Sequence, residues 1–183
     1  GNSYLANLTC CVALQTNLSL LDLFNVAEAR YRLWIKNKLV CFSPETFVKI
    51  KQGEISSYPM KGTAEDVSPS SAQFLMNNEK EAAEHATIVD LIRNDLSMVA
   101  NNVHVERYRY IERLNTHRGP LLQTSSEIRG ELAENWQKEI GSLLAKLLPA
   151  GSISGAPKEK TVHIIQQAEQ QPRGYYTGIF GIF

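Results

Sequence analysis

Phe47-Val48-Lys49-Ile50-Lys51, Gln52-Gly53, Glu54-Ile55-Ser56-Ser57-Tyr58 and Pro59-Met60-Lys61-Gly62-Thr63 follow one another without interruption. β-Branched and aromatic residues on either side of Gln52-Gly53 predict two short strands joined by a tight turn. Leu39-Val40-Cys41-Phe42 supplies another strand just upstream, and Lys61 falls at the end of the hairpin. A lysine followed by glycine is compatible with an ordinary solvated turn. It is equally the arrangement a reactive amine needs, because glycine lets backbone approach a ligand that a side chain would exclude, and partial desolvation turns an ammonium into a nucleophilic amine.

Downstream, the polar stretch from Thr63 to Glu79 with Pro69 reads as a loop leading into a helix. From about Glu79 to Leu96, Glu84, Ile88, Leu91 and Asp95 recur at helical spacing and are expected on one face. Strand patterns follow at Val103 to Ile111 and Leu121 to Ile128, with a loop over residues 115–120 between them. A helix is expected from Asn135 to Leu148, then a glycine-rich loop at Gly151-Ser152-Ile153-Ser154-Gly155. A further helix should open on Pro157 and reach Glu169, and a last strand should begin near Tyr175. Strands and helices segregate in blocks, which is the pattern of an α+β fold with mainly antiparallel sheet.

The composition narrows the partners. Among 183 residues, 43% are hydrophobic and nineteen basic residues balance nineteen acidic ones. Such a chain can bury a core, and it lacks the excess positive charge that draws proteins to nucleic acid or to anionic membranes. No apolar run approaches the roughly 20 residues that span a bilayer. Three cysteines without metal-ligand spacing read as reduced thiols in a cytoplasmic protein, with no disulfide expected.

Other residues carry possible chemistry. Glu84 is either a solvated helix carboxylate or, sharing a face with Ile88 and Leu91, a buried one that must be paired, protonated or metal-bound. The Gly151-Ser152 turn before a helix is either a cap or an anion site. Glu45 is a turn residue or, partly buried, a general acid. Tyr176 is a core ring or a hydroxyl donor, His85 is structural, and Asp90, Arg93 and Asn94 are hydrogen-bonding architecture around the helix end. Asp95 belongs with them or with a metal shell.

Taken in order, Ser43-Pro44-Glu45, Pro59-Met60-Lys61-Gly62-Thr63, Glu84-His85, Val89-Asp90-Leu91-Ile92-Arg93-Asn94-Asp95-Leu96, Gly151 to Lys158 and Arg173-Gly174-Tyr175-Tyr176-Thr177-Gly178 resemble the chorismate-binding enzymes. That family includes anthranilate, aminodeoxychorismate, isochorismate and salicylate synthases. The resemblance covers almost the whole chain and implies two packed, mainly antiparallel sheets with outer helices. It also implies that the family domain continues past Phe183, so residues 1–183 are expected to be a partial catalytic domain, truncated at both ends.

By resemblance, Glu84 binds Mg²⁺ and Glu45 is the acid-base carboxylate. Gly62, Thr63, Gln123, Gly151, Ser152, Tyr176 and Gly178 would contact chorismate. Lys61 stands where the anthranilate and isochorismate branches usually carry alanine, and this resembles the aminodeoxychorismate synthase component I branch, in which the lysine forms a covalent intermediate. Ammonia would come from a separate glutamine amidotransferase subunit. Gln123 replaces a histidine found in many relatives, so it can hydrogen-bond substrate but not transfer a proton. Anthranilate synthase component I, or a non-catalytic chorismate-binding relative, remain as alternatives.

Overall fold

The computed structural model describes residues 5–116 and 119–183. Its organising element is a thirteen-residue strand, β8 (Gly119–Glu131), flanked on one edge by the sixteen-residue β7 (Asn101–Thr116). The other edge is shared. β5 (Glu54–Ser57) pairs with the Ile128–Glu131 end and β6 (Met60–Glu65) with the Leu121–Ser125 end, while β4 (Lys49–Lys51) lies outside β5. Every pairing is antiparallel.

The β4–β5 turn forms as its sequence predicts: Gln52 and Gly53 both take positive φ, 54° and 83°, the requirement of a two-residue turn whose twist matches its strands. Lys61, in contrast, is not at a hairpin end. The chain runs on along the same edge of β8, with Ser126 N–H donating to Pro59 O at 3.0 Å, and Lys61 becomes the second residue of β6.

Two two-stranded ribbons accompany the main sheet. One joins β2 (Tyr31–Ile35) to β3 (Leu39–Ser43), and the other joins β1 (Leu5–Ala6) to β9 (Gly155–Ala156). With α1 (Leu20–Val26), α2 (Ser71–Asn77), α3 (Glu79–Ser97), α4 (Ile140–Leu147), α5 (Gly151–Ser154) and α6 (Lys158–Glu169), the fold is α+β with antiparallel sheets, as the sequence led one to expect. The three cysteines are free thiols.

Asn78 caps α3 by accepting from Glu81 N–H at 3.1 Å. The buried residues of α3 are His85, Ile88, Val89, Ile92 and Leu96, which pack on Ile55 and Ile128 of the sheet. This face is turned about one position from the expected stripe. Glu84 and Leu91 therefore lie along its edge, because the apolar residues 88, 89, 92 and 96 outweigh the sparser 84, 88, 91 and 95 pattern.

Three more expectations shift. The glycine-rich stretch forms the short helix α5 instead of a loop, Pro157 is the N-cap of α6 and not its first residue, and no strand begins at Tyr175. There the chain turns, with Tyr176 N–H donating to Arg173 O and Gly178 N–H to Tyr175 O. An apolar run becomes a strand only beside an edge to pair with, and Ile179–Phe183 has none among the described residues.

Ile55 and Ile128 are fully buried and Leu96 is 1% exposed. Leu96→Ala should therefore cost about 2–5 kcal/mol, the range for truncating a buried leucine, read from the midpoint of denaturant unfolding.

Candidate functional site

β6 and β8 fall out of step at Lys61. Met60 pairs with Ser125 and Thr63 with Gln123, so β6 advances three residues where β8 advances two. This is a β-bulge, which re-aims a side chain and leaves backbone groups outside the regular ladder. Gly62 makes it possible. Its φ is 92°, and a Cβ there would stand 3.0 Å from Thr124 Oγ1 and 3.1 Å from Glu81 Oε2.

The Lys61 carbonyl is taken up by side chains. It accepts from the Thr124 hydroxyl and from His85 Nδ1, the latter at 3.2 Å. A carbonyl only accepts, so Nδ1 carries the proton and the neutral ring's Nε2 is an acceptor, filled by the Ser126 hydroxyl at 2.7 Å. Burial holds the imidazole below its ordinary pKa, consistent with the neutral ring. Such a serine–histidine contact has the form of a hydrolase pair, but both residues are 0% exposed and no substrate reaches them.

On the solvent side, Lys61 Nζ lies 3.0 Å from Glu84 Oε2, and Lys80 approaches Oε1 at 3.8 Å. The hydrogen bond from Lys61, followed by its charge, holds the Glu84 carboxyl below its usual range. The sequence left each side chain either solvated or withdrawn from water. The structure instead gives a half-exposed ion pair, with Lys61 43% and Glu84 39% exposed, because Glu84 lies at the edge of the buried face of α3.

Glu45 lies in the connection between β3 and β4. The residue keeps exposed surface, yet surrounding chain desolvates its carboxyl enough to raise it to about 6. Among the described residues this carboxylate has no hydrogen-bond partner, and no bond joins it to Lys61. Thr63 is exposed beside the bulge. Gln123 sits opposite Thr63, but strand alternation groups it with Ser125 and Glu127, on the other face from Thr124 and Ser126, which meet β6 and α3.

The Gly151 turn does hold an anion, and it is the protein's own. Gly151 N–H donates to Asp95 Oδ2 at 2.9 Å, and Asp95 Oδ1 pairs with Lys158 Nζ at 2.9 Å. This contact places Asp95 in a clamp between α3, α5 and α6. Ser152 flanks it, half-buried in α5. Tyr176 is 65% exposed in the turn that also holds Gly178, and Arg173 of that turn is tied to Glu169 and to Asn7 O.

Glu84 was the expected Mg²⁺ ligand. Among the described residues no three His, Cys, Asp or Glu side chains cluster to hold a metal, and the one carboxylate in question already faces two ammonium groups. A divalent cation asks for several oxygen ligands, of which Glu84 would supply one. Two surface concavities, along α6 at Glu159–Gln166 and beside Gly53 and Trp136, are likewise not lined by Lys61, Glu84 or Glu45.

The match to known proteins is extensive: residues 1–183 fit the family described as chorismate binding enzyme. The chain belongs to this family. It is 61% identical over all 183 residues to an uncharacterized PabA-like protein of Haemophilus influenzae, covering 56% of that protein. Anthranilate synthase component 1 of Aquifex aeolicus is 36% identical over 151 residues, 79% of this chain and 29% of that one. Aminodeoxychorismate synthase component 1 of Bacillus subtilis is 34% identical over 153 residues, 80% of this chain and 31% of that one. The solved anthranilate synthase component I of Streptococcus pneumoniae superposes with a TM-score of 0.66 at 29% identity, over 79% of this chain and 32% of that one. The chain thus spans about half the length of the PabA-like relative, 56%.

Gly62→Ala should destabilise the protein by about 1–3 kcal/mol, because alanine at positive φ is strained and its methyl meets Thr124 and Glu81. Thermal unfolding of the variant beside wild type measures this.

Proposed function

We propose that the chain supplies the reacting amine of an aminodeoxychorismate synthase component I, which converts chorismate and ammonia into 4-amino-4-deoxychorismate. The observation that carries this reading is Lys61 at the bulge, its backbone held from the protein side and its ammonium open to solvent beside Glu84. A nucleophile needs that combination of fixed origin and accessible head.

In the reaction, the neutral Lys61 amine adds at C2 of chorismate as the C4–O bond breaks. The departing oxygen takes a proton from Glu45 and leaves as water. Ammonia, delivered by a separate glutamine amidotransferase, then adds at C4 and expels the lysine nitrogen from C2. Glu45 suits its part because a carboxyl raised to about 6 keeps its proton nearer neutrality than an ordinary glutamate does. Mg²⁺ is part of the family expectation, with Glu84 as one of its ligands, and no step is routed through it.

Anthranilate synthase component I is the second reading, favoured by the 36% identity to the Aquifex protein and by the superposition on the Streptococcus structure. The lysine at position 61 favours the first. Among the described residues no helix is long and apolar enough to cross a membrane.

Lys61→Ala should lower aminodeoxychorismate formation by several orders of magnitude while leaving chorismate binding intact. Wild-type enzyme given chorismate without ammonia should carry an adduct on the Lys61 peptide, detected by mass spectrometry; full activity of the variant, or anthranilate as product, would refute the assignment. The step needs Glu45 in its acid form and the Lys61 amine neutral, so kcat/KM should rise with pH up to about 6, where Glu45 titrates, and level into a flat limb above it, where loss of the acid offsets the gain of free amine. Glu45→Gln should abolish this limb and depress kcat far more than it raises KM.

A further inference from the structure

We propose that His85 is a positioning residue for Lys61: its Nδ1–H holds the carbonyl of the bulged residue and so sets where the reacting amine projects. The proposal rests on the covalent role given to Lys61 above, and it concerns a side chain that cannot itself touch substrate.

A continuous run of hydrogen bonds supports it. Arg109 N–H donates to Ser126 Oγ at 2.9 Å, the Ser126 hydroxyl donates to His85 Nε2 at 2.7 Å, and His85 Nδ1–H donates to Lys61 O at 3.2 Å. The run begins where β7 is itself irregular, with Arg109 at φ 45° and a register shift between Arg107 and Tyr110. It passes through β8 and α3 and ends on the bulge of β6. The irregular sites of β6 and β7, on opposite edges of β8, are thereby tied to one imidazole.

The chemistry at the Lys61 carbonyl explains why the tie is needed. A bulge leaves its extra residue outside the ladder, and a carbonyl withdrawn from water without a donor is costly. Two donors from outside the ladder meet it, Thr124 from the neighbouring strand and His85 from the helix. Thr124 secures the peptide to the sheet. Among the described residues His85 is what secures it to α3, and α3 also presents Glu84, the partner of the Lys61 ammonium. Adjacent residues of one helix thus hold the two ends of the same lysine: His85 its carbonyl, Glu84 its amine. An apolar side chain would fill the space of the ring, packed at 5.8 Å against Tyr108, without making that link.

Three substitutions separate positioning from packing. In His85→Asn the amide N–H replaces Nδ1–H and can still reach the Lys61 carbonyl. In His85→Gln the longer arm reaches toward Ser126 and abandons that carbonyl, and in His85→Leu both bonds go. All three should lower the melting temperature. Only Gln and Leu should lower kcat, on the order of 10- to 100-fold with KM little changed, the usual penalty for a displaced reacting group.

A second readout does not depend on turnover. The labelling rate of Lys61 by a small acylating reagent, followed by peptide mass spectrometry against Lys80, should rise several-fold in Gln and Leu as the amine escapes Glu84, and stay near wild type in Asn. Ser126→Ala, a milder change that leaves Nε2 without its donor, should shift labelling in the same direction and carries the test should the His85 variants fail to fold. Equal loss in Asn, Gln and Leu that tracks melting temperature, or unchanged labelling in His85→Leu, would overturn the proposal. If Lys61→Ala retains full turnover the covalent reading fails, while the labelling ratios still report whether His85 holds Lys61.

Discussion

A β-ladder has a side-chain period of two, and at Lys61 one strand takes three steps against its neighbour's two. That single extra residue governs the surroundings. It frees the Lys61 carbonyl from the ladder, requires glycine at position 62, where φ is 92°, and calls for polar side chains inside the sheet–helix interface. Thr124, Ser126 and His85 are all 0% exposed, an arrangement that would be costly in an apolar core unless each group were bonded. Each is bonded, and the bonds converge on the bulge. Around them Ile55, Ile88, Ile128 and Leu96 supply the apolar burial that keeps α3 on the sheet.

Charge is handled by the same economy of partners. Glu84 meets Lys61 and Lys80, and Asp95, three turns along the same helix, meets the Gly151 N–H and Lys158. The two carboxylates differ in setting. Asp95 is 14% exposed and joins three helices, whereas Glu84 is 39% exposed, where screening keeps an ion pair weak and exchangeable. A partner that is easily released belongs beside a lysine that must change its protonation state, and a firmer one belongs where helices meet.

Much of the fold could be read from the sequence because its signals are local. Gln52-Gly53 specifies its turn through backbone conformation, and α3 announces itself by a helical repeat. The positions that misled are those decided at a distance. Which face of α3 is buried depends on the sheet it meets, so Glu84 came out at the edge. Whether Tyr175–Phe183 is a strand depends on a neighbouring edge, and whether a glycine turn receives an external anion depends on whether Asp95 already occupies it. Lys61 and Glu84 come together beside Gly62, whereas Glu45, Gln123 and Tyr176 make no bond to them among the described residues. The polar trio of Thr124, Ser126 and His85 was missed as a unit, although serine and threonine alternating through a strand as buried as β8 are the kind of residues that ask for partners.

The proton inventory of the proposed reaction follows from these environments. Lys61 must shed a proton before it attacks, and the leaving oxygen must gain one. Glu84 is poorly suited to take the first, because the lysine beside it holds its carboxyl below the ordinary range and so stabilises the anion. Glu45 has the opposite environment: desolvation raises it to about 6. Near neutrality such a carboxyl exists in both forms, able to accept a proton in one step and donate it in the next. Two glutamates with environments that push their titration apart divide the work, Glu84 steadying the ammonium and Glu45 moving the proton. On this argument the exposed ion pair is the resting arrangement of Lys61, and binding of an anionic substrate beside it is the event that must separate amine from carboxylate.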